Sequence, residues 1–226
     1  MRIHQLTSPA LGDAWGTLNR CLEIALELSE PVGISRWWQY AGVRHDVTAK
    51  LREFMPLLPL EGKVVATAEM ADQPHFDYGE ALQSHRFPTN PIWRPSYSRV
   101  VCHQFDSRSQ AHLATPTADQ LRRFHDRLRE REFEPVDLGH DRPLADCVPQ
   151  LAACHAYVGL CSGMSQVAIS VGAPLHVVRN EVPLGGFYGV FDRRQGRAYR
   201  TLDEVDVSDL ERVDVIRWAD RLKPDA

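Results

Sequence analysis

From Tyr97 to Val178, apolar runs of strand length alternate with segments of helical period, and this alternation limits the fold more than any other feature. Tyr97–Gln104 reads as a strand. Thr117–Glu132 reads as an amphipathic helix with Leu121, Phe124 and Leu128 in line and Thr117 as its cap. Glu134–Leu138 is a strand closed by Gly139, and Pro149–Ala153 a short helix. Ala156–Leu160 is a strand, Ser165–Val171 a helix and Leu175–Val178 a strand. Strands separated by helices build a parallel sheet, since a parallel pair needs a crossover long enough to return the chain. Ligands of such sheets gather beyond the carboxyl ends of the strands. Those ends here are Gln104–Arg108, Leu138–His140, Cys161–Gln166 and Arg179-Asn180.

The earlier part follows the same scheme more loosely. Met1–Leu6 is a strand, Thr7–Asp13 a loop, and Ala14–Leu28 a helix with Leu18, Leu22, Ala25, Leu26 and Leu28 at helical spacing. Val32–Ile34 is a brief strand. Val43–Phe54 is expected to be one helix, with Val47, Leu51 and Phe54 on one face, and Lys63–Ala68 a strand. Between Asp72 and Ser98 stand Pro74, Pro88, Pro91 and Pro95, a density that suits a connection rather than an element. The expectation is two α/β domains, 1–95 and 96–226.

Composition narrows the function classes. The 226 residues carry a net charge of -4, which gives no bulk attraction to nucleic acid or to an acidic membrane surface. No run approaches the ~20 apolar residues of a membrane span. The first residues lack the apolar core of an export signal. The five cysteines are therefore expected as reduced thiols in a cytoplasmic protein. Cys147, Cys154 and Cys161 recur every seven residues, but the close spacings of zinc sites are missing, so no metal and no cofactor is expected.

The stretch Cys161-Ser162-Gly163-Met164-Ser165-Gln166 has small and hydroxyl-bearing residues where a strand gives way to a helix. Such a start leaves backbone N–H groups open to an anion. Alternatively Ser162 or Ser165 simply caps the helix. Neither a GxGxxG nor a P-loop motif occurs, and Cys-Ser-Gly-Met-Ser lacks the Gly-x-Ser-x-Gly elbow of a hydrolase nucleophile.

The order VVCHQFDSR, helix, VDLG, VPQLAA and YVGLCSGMSQVAISVGAP resembles the nucleotide-sugar-binding domain of two-domain GT-B glycosyltransferases. It is most similar to the ADP-heptose:lipopolysaccharide heptosyltransferase family, over about Ser98 to Asn180. A second match is Leu11-Gly12-Asp13-Ala14-Trp15-Gly16-Thr17-Leu18, placed like that family's Leu-Gly-Asp and following helix. The resemblance implies two small Rossmann-like parallel-sheet domains facing a cleft. It also implies metal-independent transfer of a sugar from a nucleotide diphosphate-sugar donor to an acceptor hydroxyl on a glycan or small molecule.

By the same resemblance Asp13 is the general base. Gly12, Thr17, His103, Arg108, Gly139, Ser162, Gly163, Met164, Ser165 and Gln166 line the substrates. Asp13 read on its own also suits a cap of the Ala14–Leu28 helix. The chain departs from the family at three points. Cys161 stands where the family has aspartate, Gln166 stands where it has histidine, and Arg108 is the cation nearest to the position of its phosphate-neutralising lysine. Two other functions stay open: a nucleotide-sugar epimerase or hydrolase on the same fold, and a non-catalytic accessory or binding protein. Trp37, Trp38 and Trp93 stack on a sugar or fill core. Glu181–Tyr199 is either a lid or a surface hairpin.

Overall fold

The computed structural model describes residues 1–71, 98–106, 115–139, 141–160, 162–178 and 196–211. The chain divides into two compact units, Met1–His85 and Arg86–Ala226. The expected boundary near Pro95 lies outside the described residues.

In the first unit β1 (Arg2–His4), β2 (Val32–Ser35) and β5 (Val64–Thr67) form a parallel sheet in the order β1-β2-β5. Helix α1 (Leu11–Leu28) packs on β2 and β5. Strand β2 is the middle strand and is buried at all four residues, as its apolar sequence requires. Trp15 of α1 meets Phe54 edge to face, with ring centroids 6.1 Å apart.

The segment expected as one helix over Val43–Phe54 is instead two elements. Trp37–Tyr40 (β3) and Val43–Asp46 (β4) form an antiparallel hairpin, and helix α2 runs only from Thr48 to Phe54. Two local causes explain the difference. Ala41 and Gly42 both have positive φ, 48° and 81°, the turn that matches the twist of a two-residue hairpin. Asp46 Oδ1 then accepts the Thr48 N–H at 2.8 Å and marks the helix start.

The second unit holds five parallel strands in the order β10-β9-β8-β6-β7. They are β6 (Val100–Gln104), β7 (Glu134–Asp137), β8 (Ala156–Leu160), β9 (Leu175–Val178) and β10 (Gly196–Tyr199). Strands β8 and β9 are buried throughout, the pattern of strands covered on both faces. Helix α3 (Ala118–Glu130) has the expected cap. The Gln120 N–H donates to Thr117 Oγ1 at 3.2 Å, and the Thr117 N–H donates to Gln120 Oε1 at 2.9 Å. Helix α4 (Leu144–Ala153) begins five residues before the expected Pro149, which sits inside it and removes one helical hydrogen bond. Helix α5 spans Gly163–Val171 and α6 spans Val207–Glu211.

Strand β10 runs parallel to β9, Gly196 opposite Leu175 through Tyr199 opposite Val178; the rest of the segment read as a lid or surface hairpin, residues 181–195, lies outside the described residues. Phe124, Leu128, Phe133, Val158 and Leu160 form the core with Leu202, Val205, Val207 and Leu210. Arg127 fixes the last group in place. Its guanidinium donates to the carbonyls of Leu202, Asp203 and Val205 at 2.9 to 3.1 Å.

Candidate functional site

In the second unit the strand order reverses between β6 and β8: the chain passes from β6 to β7 on one side, then to β8 on the other. A crevice opens where such connections diverge, beyond the carboxyl ends. Three tips meet there. Gln104 Nε2 donates to Gly139 O at 3.2 Å, tying the end of β6 to the loop after β7. The Gly139 N–H donates to Asp137 Oδ1 at 2.9 Å, and Gly139 itself has φ of +48°. The third tip leads from β8 into α5.

The start of α5 resolves the two serines into different roles. Ser165 Oγ accepts the Ser162 N–H at 3.0 Å and donates to Ser162 O at 2.6 Å, so this fully buried hydroxyl caps the helix. Ser162 is the cap residue, and its Oγ faces the Ser165 N–H as the other half of a capping box without forming a hydrogen bond. That oxygen is buried, as is the unpartnered Gln166 Oε1 on a residue only 8% exposed. The first hydrogen bond of the helix runs from the Gln166 N–H to Ser162 O. The amides of Gly163 and Met164 precede it and have no helical acceptor. Unpartnered buried polar atoms cost free energy, about 1–3 kcal/mol each. The Ser162 hydroxyl and the open amides can donate to an anion, whereas Gln166 Oε1 can only accept and suits a ligand hydroxyl. Cys161, His140 and Arg108 lie outside the described residues.

Strand β8 reaches this turn through Gly159. A Cβ there would stand 2.8 Å from the Gln104 carbonyl of β6 and closer still to the Tyr157 ring and hydroxyl. The glycine lets β6 and β8 approach at the point where their tips carry the site.

His103 was expected to touch substrate. It is 1% exposed and faces α3 instead. Its Nε2 lies 2.9 Å from His125 Nε2, its ring stacks on Phe105 at 5.4 Å, and Phe124 meets it edge-on. Asp137 Oδ1 is 3.8 Å from its Nδ1. Burial pushes the His103 pKa down to about 4, against the pull of Asp137 and with a smaller push from His125. His125 is half-buried, and burial also lowers its pKa.

In the first unit the loop after β1 is held by hydroxyls. Thr17 Oγ1 donates to Asp13 O at 2.8 Å and accepts the Thr7 N–H at 3.2 Å. The Thr7 and Thr17 hydroxyls are 3.1 Å apart. Thr17 is fully buried, so it shapes the loop from within rather than lining a surface. Trp38 of the hairpin donates its Nε1–H to Thr7 O at 3.3 Å, a bond that anchors the indole to this loop.

Asp13 does not cap the helix. Ala10 is the cap residue, without a side-chain bond, and Asp13 sits in the first turn, third in the helix. From Gly12 to Asn19 only Asp13 is not buried. Its carboxylate makes no hydrogen bond or ion pair with another described residue. A carboxylate at that position is favoured by the helix dipole and keeps its oxygens available.

Among the described residues no group of three or more His, Cys, Asp or Glu side chains is placed to hold a metal ion. Nor is any helix there long and apolar enough to cross a membrane. No protein-family model matches the sequence, and no curated protein matches it significantly. Solved structures do. The bacterial iron-containing dodecameric glycosyltransferase TibC from enterotoxigenic E. coli H10407 matches with a TM-score of 0.55 and 14% identity, over 79% of this chain and 58% of that one. The dodecameric iron-containing heptosyltransferase TibC in complex with ADP-D-beta-D-heptose matches with a TM-score of 0.54 and 13% identity, over 80% and 58%. The chain thus spans a little over half the length of these proteins, and its parallel-sheet α/β fold is similar to theirs.

Proposed function

We propose that the chain is a glycosyltransferase that moves a sugar from a nucleotide diphosphate-sugar to an acceptor hydroxyl, without a metal ion and in the cytoplasm. The observation that carries this reading is the start of α5, where the Ser162 hydroxyl is buried without a hydrogen bond beside open backbone amides. Diphosphate oxygens would accept from the Gly163 and Met164 amides and from the Ser162 hydroxyl, and Arg108 would offset further charge. Asp13 would take the proton of the acceptor hydroxyl as its oxygen bonds to the anomeric carbon. The bond from that carbon to the diphosphate breaks, and its electron pair leaves on the phosphate oxygen. The half-exposed, unpartnered Asp13 carboxylate suits a general base.

Because one structural neighbour is described in complex with ADP-D-beta-D-heptose, an ADP-linked sugar is the first donor to test. Calorimetric titration of the chain with ADP, UDP, GDP and CDP, with and without EDTA, tests the reading. ADP is expected to bind equally in both conditions. Failure of all four to bind, or binding that EDTA abolishes, rejects it. A second reading, a non-catalytic nucleotide-sugar-binding or accessory protein, draws on Cys161 and Gln166, which stand where the resembled family has aspartate and histidine. It predicts nucleotide binding with no transfer to any acceptor.

A further inference from the structure

The first unit contains a recess that the proposed transfer does not use. Arg36 and Thr67 reach it from the carboxyl ends of β2 and β5, helix α2 contributes Leu51 and Arg52, and the turn after it contributes Met55 and Pro56. Its volume is about 360 Å³, within the range of small-molecule sites. Its place beyond strand ends of a parallel sheet is where such folds take ligands.

Arg36 and Arg52 both line the recess, and neither forms an ion pair with another described residue; the Arg36 guanidinium also lies over the Trp37 ring, 5.3 Å from its centroid. The carboxylate that feels both is Asp46, one negative charge set against two positive ones. The Thr48 side chain and the Thr48 N–H, the latter at 2.8 Å, hydrogen-bond it. Those two bonds lower its pKa first, and the arginines come after them. Asp46 offsets at most one of the two charges, and the guanidinium fork fits carboxylate or phosphate oxygens. Leu51, Met55, Pro56 and Ala66 give the recess an apolar wall that a hydrated inorganic ion cannot use. We propose that this recess binds a small organic anion, a carboxylate or phosphate on a compact apolar body, between Arg36 and Arg52.

The test is calorimetric titration of the full chain with phenyl phosphate and with benzoate, beside inorganic phosphate and benzyl alcohol as the separate halves. At least one aryl anion is expected to bind about tenfold more tightly than either half. Arg36→Gln and Arg52→Gln should each weaken it by about tenfold, through loss of a charge-assisted contact. Both arginines are exposed, so circular dichroism and melting should match the parent. Ala66→Phe fills the floor, keeps both charges and should abolish binding. The proposal is overturned if neither aryl anion exceeds the separate halves, or if binding is unchanged in an arginine variant or in Ala66→Phe. None of these readouts depends on nucleotide binding or transfer.

Discussion

Lowering the pH should weaken the fold through His103. Its pKa is 6.5 as a free side chain and about 4 in the fold, because burial between β6 and α3 penalises the charged ring. Between those values the unfolded chain binds a proton that the folded chain refuses. Stability is therefore complete above pH 6.5, falls as the pH drops toward 4, and loses nothing further from this group below that. The full shift corresponds to about 3 kcal/mol, and the part reached by about pH 5 to roughly 2 kcal/mol. Against a typical total of about 5–15 kcal/mol, that is a readily measured fraction. Asp137, 3.8 Å away, opposes the shift, while His125 at 2.9 Å adds to it and has its own pKa lowered by burial. Urea unfolding followed by fluorescence at about pH 7.5 and about pH 5 measures the loss. The His103→Phe variant places a ring that cannot titrate beside Phe105 and Phe124, and should remove most of the difference. If parent and variant lose the same free energy between the two pH values, the reasoning about this histidine is wrong.

Gly159→Ala should lower the melting temperature by several degrees, from overpacking worth about 1–3 kcal/mol against the Gln104 carbonyl and Tyr157; an unchanged melting curve would show that β6 and β8 have slack. Under the proposed transfer, Asp13→Asn should leave nucleotide affinity within about a factor of two while turnover falls by about 10²–10⁴. Gly163→Val should do the opposite, crowding the approach to the α5 amides and weakening nucleotide binding in a titration. Equal loss of binding in both variants would make Asp13 structural.

What could be read from the residues followed the range of the interactions. Val158, Gly159 and Leu160 lie in an uninterrupted apolar run, and a run of that length bounded by polar turns has few options, so β8 was legible. The same holds for the Thr117–Gln120 cap, which lies within four residues. The Trp37–Asp46 hairpin was hidden. Val47, Leu51 and Phe54 set a helical period that extrapolates backward to Val43, yet Val43 is 55% exposed and belongs to no buried face. The contact between His103 and His125 spans 22 positions and arises from strand-to-helix packing that no local spacing encodes. Asp13 as a first-turn residue rather than the cap depended on Ala10, a poor cap by type, taking the cap position. That left the aspartate third in the helix, with its backbone carbonyl bonded to Thr17 and its carboxylate unbonded.

The clamp that Arg127 closes on residues 202–205 bears on the order in which the chain is made. Phe124 and Leu128 emerge from the ribosome early, but the partners that cover them, Leu202, Val205, Val207 and Leu210, follow some 75 to 80 residues later in the same contacts. Until then one side of α3 has an apolar face without its cover, and pairings so distant in sequence form slowly. Maturation of the second unit during synthesis is thus gated by the arrival of Leu202–Leu210, and a nascent chain stalled before them is a substrate for chaperones and proteases rather than a smaller working domain.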